Sequence, residues 1–366
     1  MSNSVTGGVQ TRVTTLNRIP EGWDKLVRDC AWGAFYHSSL NLKLLEGASP
    51  AKVNFIGCYE DDRLAGGLAY GIQKGPLGPI VNCLPYFGSY GDAVISPLAP
   101  EGTDKSIYQA LIEQCRKMDA LCLTVITSPF AESIHHKNVK DILAPDFIDE
   151  RCCQIAAMPA CSGEDKSAYA AKIMQMMEGR NRTLYRKALK NNFEIRSARS
   201  EEESAEFFRI HKASIGKKSG IFKTEKFFKE AFALSRSNPG TVEMVIALDK
   251  GRIVSGVVLF YFNSIVEYHT TCLSDEYRSS GSLSRIVIEK MIDAGMRGYR
   301  YWNFGGTWKS QESLYRFKQS FGAFERNYFY YTIFFRDLDR VKSLSRQEII
   351  DSYPLCYVIP FSEIAE

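Results

Sequence analysis

Two widely separated stretches of this chain share one grammar, and that repetition restricts the fold more than any other feature. In the first, Asn54-Phe55-Ile56-Gly57-Cys58-Tyr59 passes through Glu60-Asp61-Asp62 into Arg63-Leu64-Ala65-Gly66-Gly67-Leu68-Ala69-Tyr70. In the second, Met244-Val245-Ile246-Ala247-Leu248 passes through Asp249-Lys250-Gly251 into Arg252-Ile253-Val254-Ser255-Gly256-Val257-Val258-Leu259. Apolar and β-branched runs on either side of turn formers read as strand–turn–strand hairpins. Arg63 matches Arg252 and Gly67 matches Gly256 in register.

The segments downstream of the two hairpins repeat as well. Residues 107–115 have apolar side chains at helical spacing and precede a strand-like run, 122–127. Residues 283–292 precede 299–304 in the same order. The economical reading is a tandem duplication in an α/β protein, each half a mixed, mainly antiparallel sheet flanked by helices. The expected domains are 1–160 and 161–366, divided where Pro159-Ala160-Cys161-Ser162-Gly163 gathers breakers and small residues. The second half opens with a helix expected over 168–190, rich in Met, Lys and Arg. Its basic residues fit a solvated face and its Met174, Met176 and Met177 fit core filling.

A length of 366 residues supports two domains, and 45% hydrophobic with 24% charged residues is the balance of a globular chain. A net charge of +4 argues against a nucleic-acid coat, and no DNA partner is expected; local basic pockets for phosphate remain open. The ten cysteines include no CxxC pair and no leader-like start precedes them, so reduced buried thiols in a cytoplasmic protein are expected. No apolar run is long enough to cross a bilayer, which leaves work at the inner membrane face open. No His or Cys pair has metal-ligand spacing, and no metal is expected.

Several residue sets suit particular chemistry. Arg278-Ser279-Ser280-Gly281 lies between a strand and a helix, where free backbone N–H groups and an arginine fork suit phosphate; a capped helix start explains the serines equally. Asn303-Phe304-Gly305-Gly306 reads as a glycine turn after a strand. Lys318 stands between Phe317 and Phe321, where an ammonium suits a developing oxyanion in acyl transfer; a snorkelling surface lysine is the plainer alternative. Glu267 and His269 share one face of a strand, with Tyr268 on the other, as a base and its orienting partner would or as a satisfied polar pair would. Asn303 suits acceptor orientation, donation to an oxyanion, or equally a turn. Tyr90, within the glycine–aromatic stretch 86–92, suits a ligand cleft or a packed loop.

Arg278-x-x-Gly281-x-Leu283 resembles the coenzyme A loop of the GNAT superfamily, Q/R-x-x-G-x-G/A, with Leu283 departing from its last position. Together with Asn303-Phe304-Gly305-Gly306 and the Arg316-Phe317-Lys318…Phe321-Gly322 block, the chain resembles the Fem-type (FemABX-like) branch and its polysaccharide-biosynthesis acetyltransferase relatives. That resemblance implies two GNAT-like domains, with the acceptor in a cleft and the donor site in the second. It implies transfer of an acyl or aminoacyl group from acyl-CoA or aminoacyl-tRNA to an amine of a cell-envelope or polysaccharide precursor, small or lipid-linked, with no permanently bound cofactor. By the same resemblance Lys318 is catalytic, and Lys218 with Phe222 meets acceptor phosphate and stacks on it. Tyr268, Tyr90 and Phe317 join them as substrate-contact candidates. No heptad run builds the helical arm of staphylococcal-type members. A non-catalytic glycan- or peptide-binding module is the alternative.

Overall fold

Both hairpins form, each on a tight turn that needs a left-handed residue: Asp61 at φ 51° in one, Lys250 at φ 50° and Gly251 at φ 80° in the other. The computed structural model describes residues 11–84, 90–216, 222–307 and 311–364. It resolves into two units: Met1–Glu150 with Tyr328–Glu366, and Arg151–Asn327. The division expected after residue 160 is therefore replaced by a discontinuous first unit. Both crossings fall inside continuous strands, Phe147–Ala157 and Ala323–Phe334, where no breaker marks them.

The first unit contains β1 (Thr11–Leu16), α1 (Trp23–Asp29), α2 (Ser39–Ala48), β2 (Lys52–Glu60), β3 (Arg63–Gly75), β4 (Gly78–Cys83) and β5 (Val94–Ile95). It continues through α3 (Thr103–Lys117), β6 (Cys122–Ile126) and α4 (Ser133–Leu143). The second unit runs from β7 (Phe147–Ala157) through α5 (Lys166–Gln175), α6 (Gly179–Lys190), β8 (Glu194–Ser197), α7 (Glu201–Gly216) and α8 (Glu225–Ser237). Then come β9 (Val242–Asp249), β10 (Arg252–Phe262), β11 (Ile265–Leu273), α9 (Ser282–Met296), β12 (Tyr301–Thr307) and α10 (Glu312–Gln319). The chain returns in β13 (Ala323–Phe334) and closes with α11 (Leu338–Lys342) and α12 (Arg346–Ser352).

In the first unit the strand order is β1-β2-β3-β4-β6-β13, with β5 on β3; in the second it is β7-β12-β11-β10-β9-β8. Each sheet is antiparallel save for one parallel pair, β4 with β6 and β11 with β12. The matched glycines have one physical job. A Cβ on Gly67 would lie 2.6 Å from the Trp23 ring, and one on Gly256 would lie 2.6 Å from the Phe207 ring. Each glycine lets a helix lay an aromatic flat on its sheet. α3 and α9 likewise both start after a left-handed glycine, Gly102 at φ 79° and Gly281 at φ 78°.

The helix expected over 168–190 is two helices. Glu178 takes an extended conformation and gives its N–H to Ser320 O at 3.0 Å instead of continuing the helical ladder. Met177 is buried in the core and Met174 and Met176 pack against it. On α9, Gly295 faces Tyr169 so closely that a Cβ would lie 1.9 Å from the phenol oxygen, which itself donates to Pro159 O at 2.8 Å. Gly295→Ala is expected to destabilise the protein by about 1–3 kcal/mol through overpacking, against a helix-propensity gain of about 1 kcal/mol. Urea denaturation measures the balance; a more stable variant would show that α5 yields.

Candidate functional site

The parallel pair of the second unit is short. β11 meets β12 only at Ile265–Tyr301, Val266–Trp302 and Glu267–Asn303. Past that point β11 bulges at His269, so that Leu259 faces Tyr268 while Val258 faces Thr270. β12 shifts register against β7 between Asn303 and Gly306. The expected glycine turn is thus an irregularity inside a strand, with Gly305 at φ 73°. Parallel strands that part toward their carboxyl ends leave backbone groups facing a crevice, the usual place for a ligand in such sheets.

A buried polar knot ties the vertex. Asn303, 1% exposed, donates from Nδ2 to Glu267 Oε2 at 2.8 Å. Its Oδ1 accepts from Gly305 N–H at 2.8 Å and from the Cys153 thiol at 3.0 Å. Burial pushes that thiol far up its range, and nearby Glu267 adds to the effect, so it stays protonated and donates. Asn303 therefore splints the vertex, and Glu267, 1% exposed, is held by it.

Lys318 does not lie among its aromatic neighbours. Phe321 is buried in the core with Phe304, ring centroids 5.4 Å apart, and the half-buried Phe317 packs on Phe321 at 5.1 Å. The lysine, 4% exposed, reaches back to β12. Its ammonium donates to Gly305 O at 3.0 Å, Gly306 O at 2.9 Å and Thr307 Oγ1 at 2.7 Å. All three protons are engaged. Thr307 passes the polarity on to Gln154 Oε1 at 3.0 Å, and Gln154 Nε2 donates to Tyr315 O at 3.0 Å. Burial disfavours the charged form and lowers the Lys318 pKa to about 8. The result is a single buried positive charge fixed against the irregular part of β12.

The loop expected to hold phosphate packs on its side-chain and carbonyl side against the chain's own α6. A Cβ on Gly281 would lie 2.8 Å from Leu184 O, so this glycine admits the backbone of α6. Lys187 Nζ donates to Ser279 O at 3.3 Å and Asn191 Nδ2 to Ser280 O at 3.2 Å. Arg278 is exposed and paired with Asp275 at 2.6 Å. Leu184 O thus fills the side-chain side of Gly281, and Ser282 N–H donates to Ser280 Oγ at 3.2 Å.

The remaining expected residues are scattered. His269 lies with its ring 5.4 Å from Phe227 and 4.8 Å from Phe260, on the face that Glu267 shares by its pairing opposite Phe260. Burial first, then Lys223 and His211, hold it well below the usual imidazole range, so it is neutral. Tyr268 turns to the other face against Phe304 at 5.3 Å. Phe222 carries Lys212 over its ring at 5.5 Å, and Lys218 lies outside the described residues. Tyr90, 2% exposed, packs edge-on to Tyr36 at 5.0 Å in the first unit and is a core residue. Gln154, Thr307 and Cys153 escaped sequence reasoning because nothing in their spacing announces a knot between distant strands. Among the described residues no group of three His, Cys, Asp or Glu side chains could hold a metal ion, and no helix is long and apolar enough to cross a membrane.

The first unit repeats the short parallel pair, at Val81–Leu123, Asn82–Thr124 and Cys83–Val125, yet its own chain crosses the gap. Gly91 N–H donates to Ile126 O at 3.0 Å. Asp92, 1% exposed, accepts from Ser128 N–H at 3.1 Å, His135 Nε2 at 2.8 Å and His37 Nε2 at 3.4 Å. In this unit the chain itself bridges the two strands of the gap, and the second unit is taken as the candidate site.

Comparison with known proteins agrees with this assignment of fold. The model of the acetyltransferase (GNAT) domain family matches residues 179–319. No curated protein matches the chain in sequence. The crystal structure of FemX is similar at a TM-score of 0.63 and 14% identity, over 87% of this chain and 97% of that one. A tandem GNAT protein from the clavulanic acid biosynthesis pathway is similar at 0.55 and 11%, over 89% and 98%. The C-terminal domain of a putative lysylphosphatidylglycerol synthetase from Agrobacterium fabrum is similar at 0.51 and 11%, over 84% and 91%. At these identities the likeness is one of fold.

Proposed function

We propose that this chain, whose residues 179–319 match the acetyltransferase (GNAT) domain family, is an N-acyltransferase that works at the parting of β11 and β12 and takes its acyl group from an aminoacyl-tRNA. The observation that carries the reading is the buried Lys318 charge fixed on Gly305, Gly306 and Thr307, beside backbone that leaves the sheet. A fixed cation in a site shielded from water stabilises the oxyanion that forms when an amine attacks an acyl carbonyl. The acceptor is an amine of a cell-envelope or polysaccharide precursor, following the Fem-type resemblance, and the likeness in fold to FemX and to the synthetase domain is consistent with such chemistry.

The choice of donor rests on α6. It packs against Gly281 at the start of α9 and brings its basic residues beside that loop. Its outer surface exposes Arg180, Arg186, Lys187 and Lys190 with no acidic residue in the helix, a stripe suited to a phosphate backbone. Replacing Arg180, Arg186 and Lys190 together with glutamate is expected to lower transfer from charged tRNA at least tenfold. The wild-type rate should fall roughly 40-fold between 50 and 200 mM salt if three phosphates are neutralised. Labelled acetyl-CoA run in parallel separates the donors: a wild type that acetylates amines from acetyl-CoA and ignores charged tRNA overturns the donor but not the acyl transfer. A glycan- or peptide-binding module would transfer from neither.

A further inference from the structure

We propose that His211 is the general base of this site, its Nε2 accepting the proton of the acceptor amine between the diverging ends of β11 and β12. The inference rests on the acyl-transfer reading above and adds a residue to it. His211 sits on α7, 2% exposed, with Nδ1 2.7 Å from Thr271 O of β11. A carbonyl oxygen only accepts, so Nδ1 carries the proton and donates, and Nε2 presents a lone pair. That Nε2 is buried and meets no hydrogen-bond partner among the described residues. An imidazole oriented through one nitrogen and unsatisfied at the other is the arrangement a base requires.

The position fits as well. Thr271 lies past the Glu267–Asn303 vertex on one arm of the parting strands, about 10–13 Å along β11. Gly305 and Gly306, which hold Lys318, lie about 7–10 Å along the other arm. Because the strands are parallel, both groups stand on the same side of the vertex. The base and the fixed cation thus stand on the two arms of one parting. Around His211 the aromatic wall continues through Phe228, 5.0 Å from its ring, and Phe227, 5.3 Å from Phe228. The titratable groups facing it are Lys223, ahead of α8, and His269 on β11. Burial lowers the pKa of His211, and Lys223 lowers it further against the Thr271 contact, so the lone pair is present at neutral pH.

The step balances without further reagents. The amine nitrogen bonds to the acyl carbon, its proton passes to His211 Nε2, and the ester bond to the carrier breaks. The imidazolium then returns that proton to the departing alkoxide, leaving an amide and the free carrier hydroxyl.

His211→Gln tests this, because the glutamine amide can still donate to Thr271 O but is no base. With the amine and donor that the wild type uses, drawn from glucosamine and lysine-containing peptides with charged tRNA or acetyl-CoA, kcat is expected to fall about 10²–10⁴-fold with KM for the donor unchanged. Added imidazole should restore part of the rate to His211→Ala, and thermal melts should show both variants folded. Wild-type turnover in His211→Gln, or loss confined to KM, overturns the inference alone. A wild type that acylates nothing overturns the acyl-transfer reading, and this inference with it.

Discussion

A Lys318→Met protein is expected to turn over about 10²–10³-fold more slowly than the wild type, the scale of loss when a preorganised group that stabilises a developing oxyanion, here a fixed charge, is removed. The methionine preserves the length and packing of the side chain but removes the charge and three donated hydrogen bonds. Gly305 O, Gly306 O and Thr307 Oγ1 then lose their donor in a buried setting, so stability should also fall, by about 1–3 kcal/mol. Kinetics and denaturation together separate the two effects, since a purely structural lysine would lower stability and KM would rise without the loss in kcat. The pH profile adds a sign. The folded pKa of about 8 lies below that of an exposed lysine, so the ammonium is lost as pH rises through 8. Activity that needs the charge should fall over that range. Stability runs the other way: between about pH 8 and 10.4 the unfolded chain binds the extra proton, so this group makes the fold more stable as pH rises.

The second large effect belongs to the first unit. Asp92→Asn is expected to cost about 3–5 kcal/mol, because the carboxylate is fully enclosed and accepts from two imidazoles and a backbone N–H. Ala34 N–H donates to His37 Nδ1 at 3.3 Å, which leaves the His37 proton on Nε2, pointing at Asp92. An asparagine would turn an N–H₂ donor toward one of the two imidazole donors. Burial alone would raise the Asp92 pKa, but the hydrogen bonds from His135 and His37 outweigh it and hold the group far below the usual carboxylate range. With the folded pKa depressed, its stabilisation is complete above the unfolded value near 4 and is lost as pH falls below it. Urea midpoints at pH 7 and pH 3 should therefore differ more for the wild type than for Asp92→Asn. Equal shifts would show that the cluster carries no net stability.

The duplication is legible in the sequence because its determinants are local. Gly67 and Gly256 stand at the same step of each hairpin, and each is small because an aromatic from a neighbouring helix needs the space. The helix starts after Gly102 and Gly281 are equally local. The features that sequence does not reveal depend on distant chain. The return of 328–366 to the first unit leaves no trace in β13, which is one unbroken strand. Gly281 announces a left-handed turn but not that Leu184 O fills the space beside it. Lys318 stands out in the sequence, yet its aromatic neighbours face the core and its charge faces β12. His211 carries no signal at all, since a single histidine in a helix acquires meaning only when Thr271 O orients it.

The central claim, acyl transfer at the parting of β11 and β12, is tested most directly by single-turnover transfer of a labelled acyl group to an amine, with wild type and Lys318→Met side by side. The expected result is a labelled amide formed by the wild type and formed at least a hundredfold more slowly by the folded variant. Equal rates for the two proteins, or no amide from charged tRNA and acetyl-CoA alike, would contradict it.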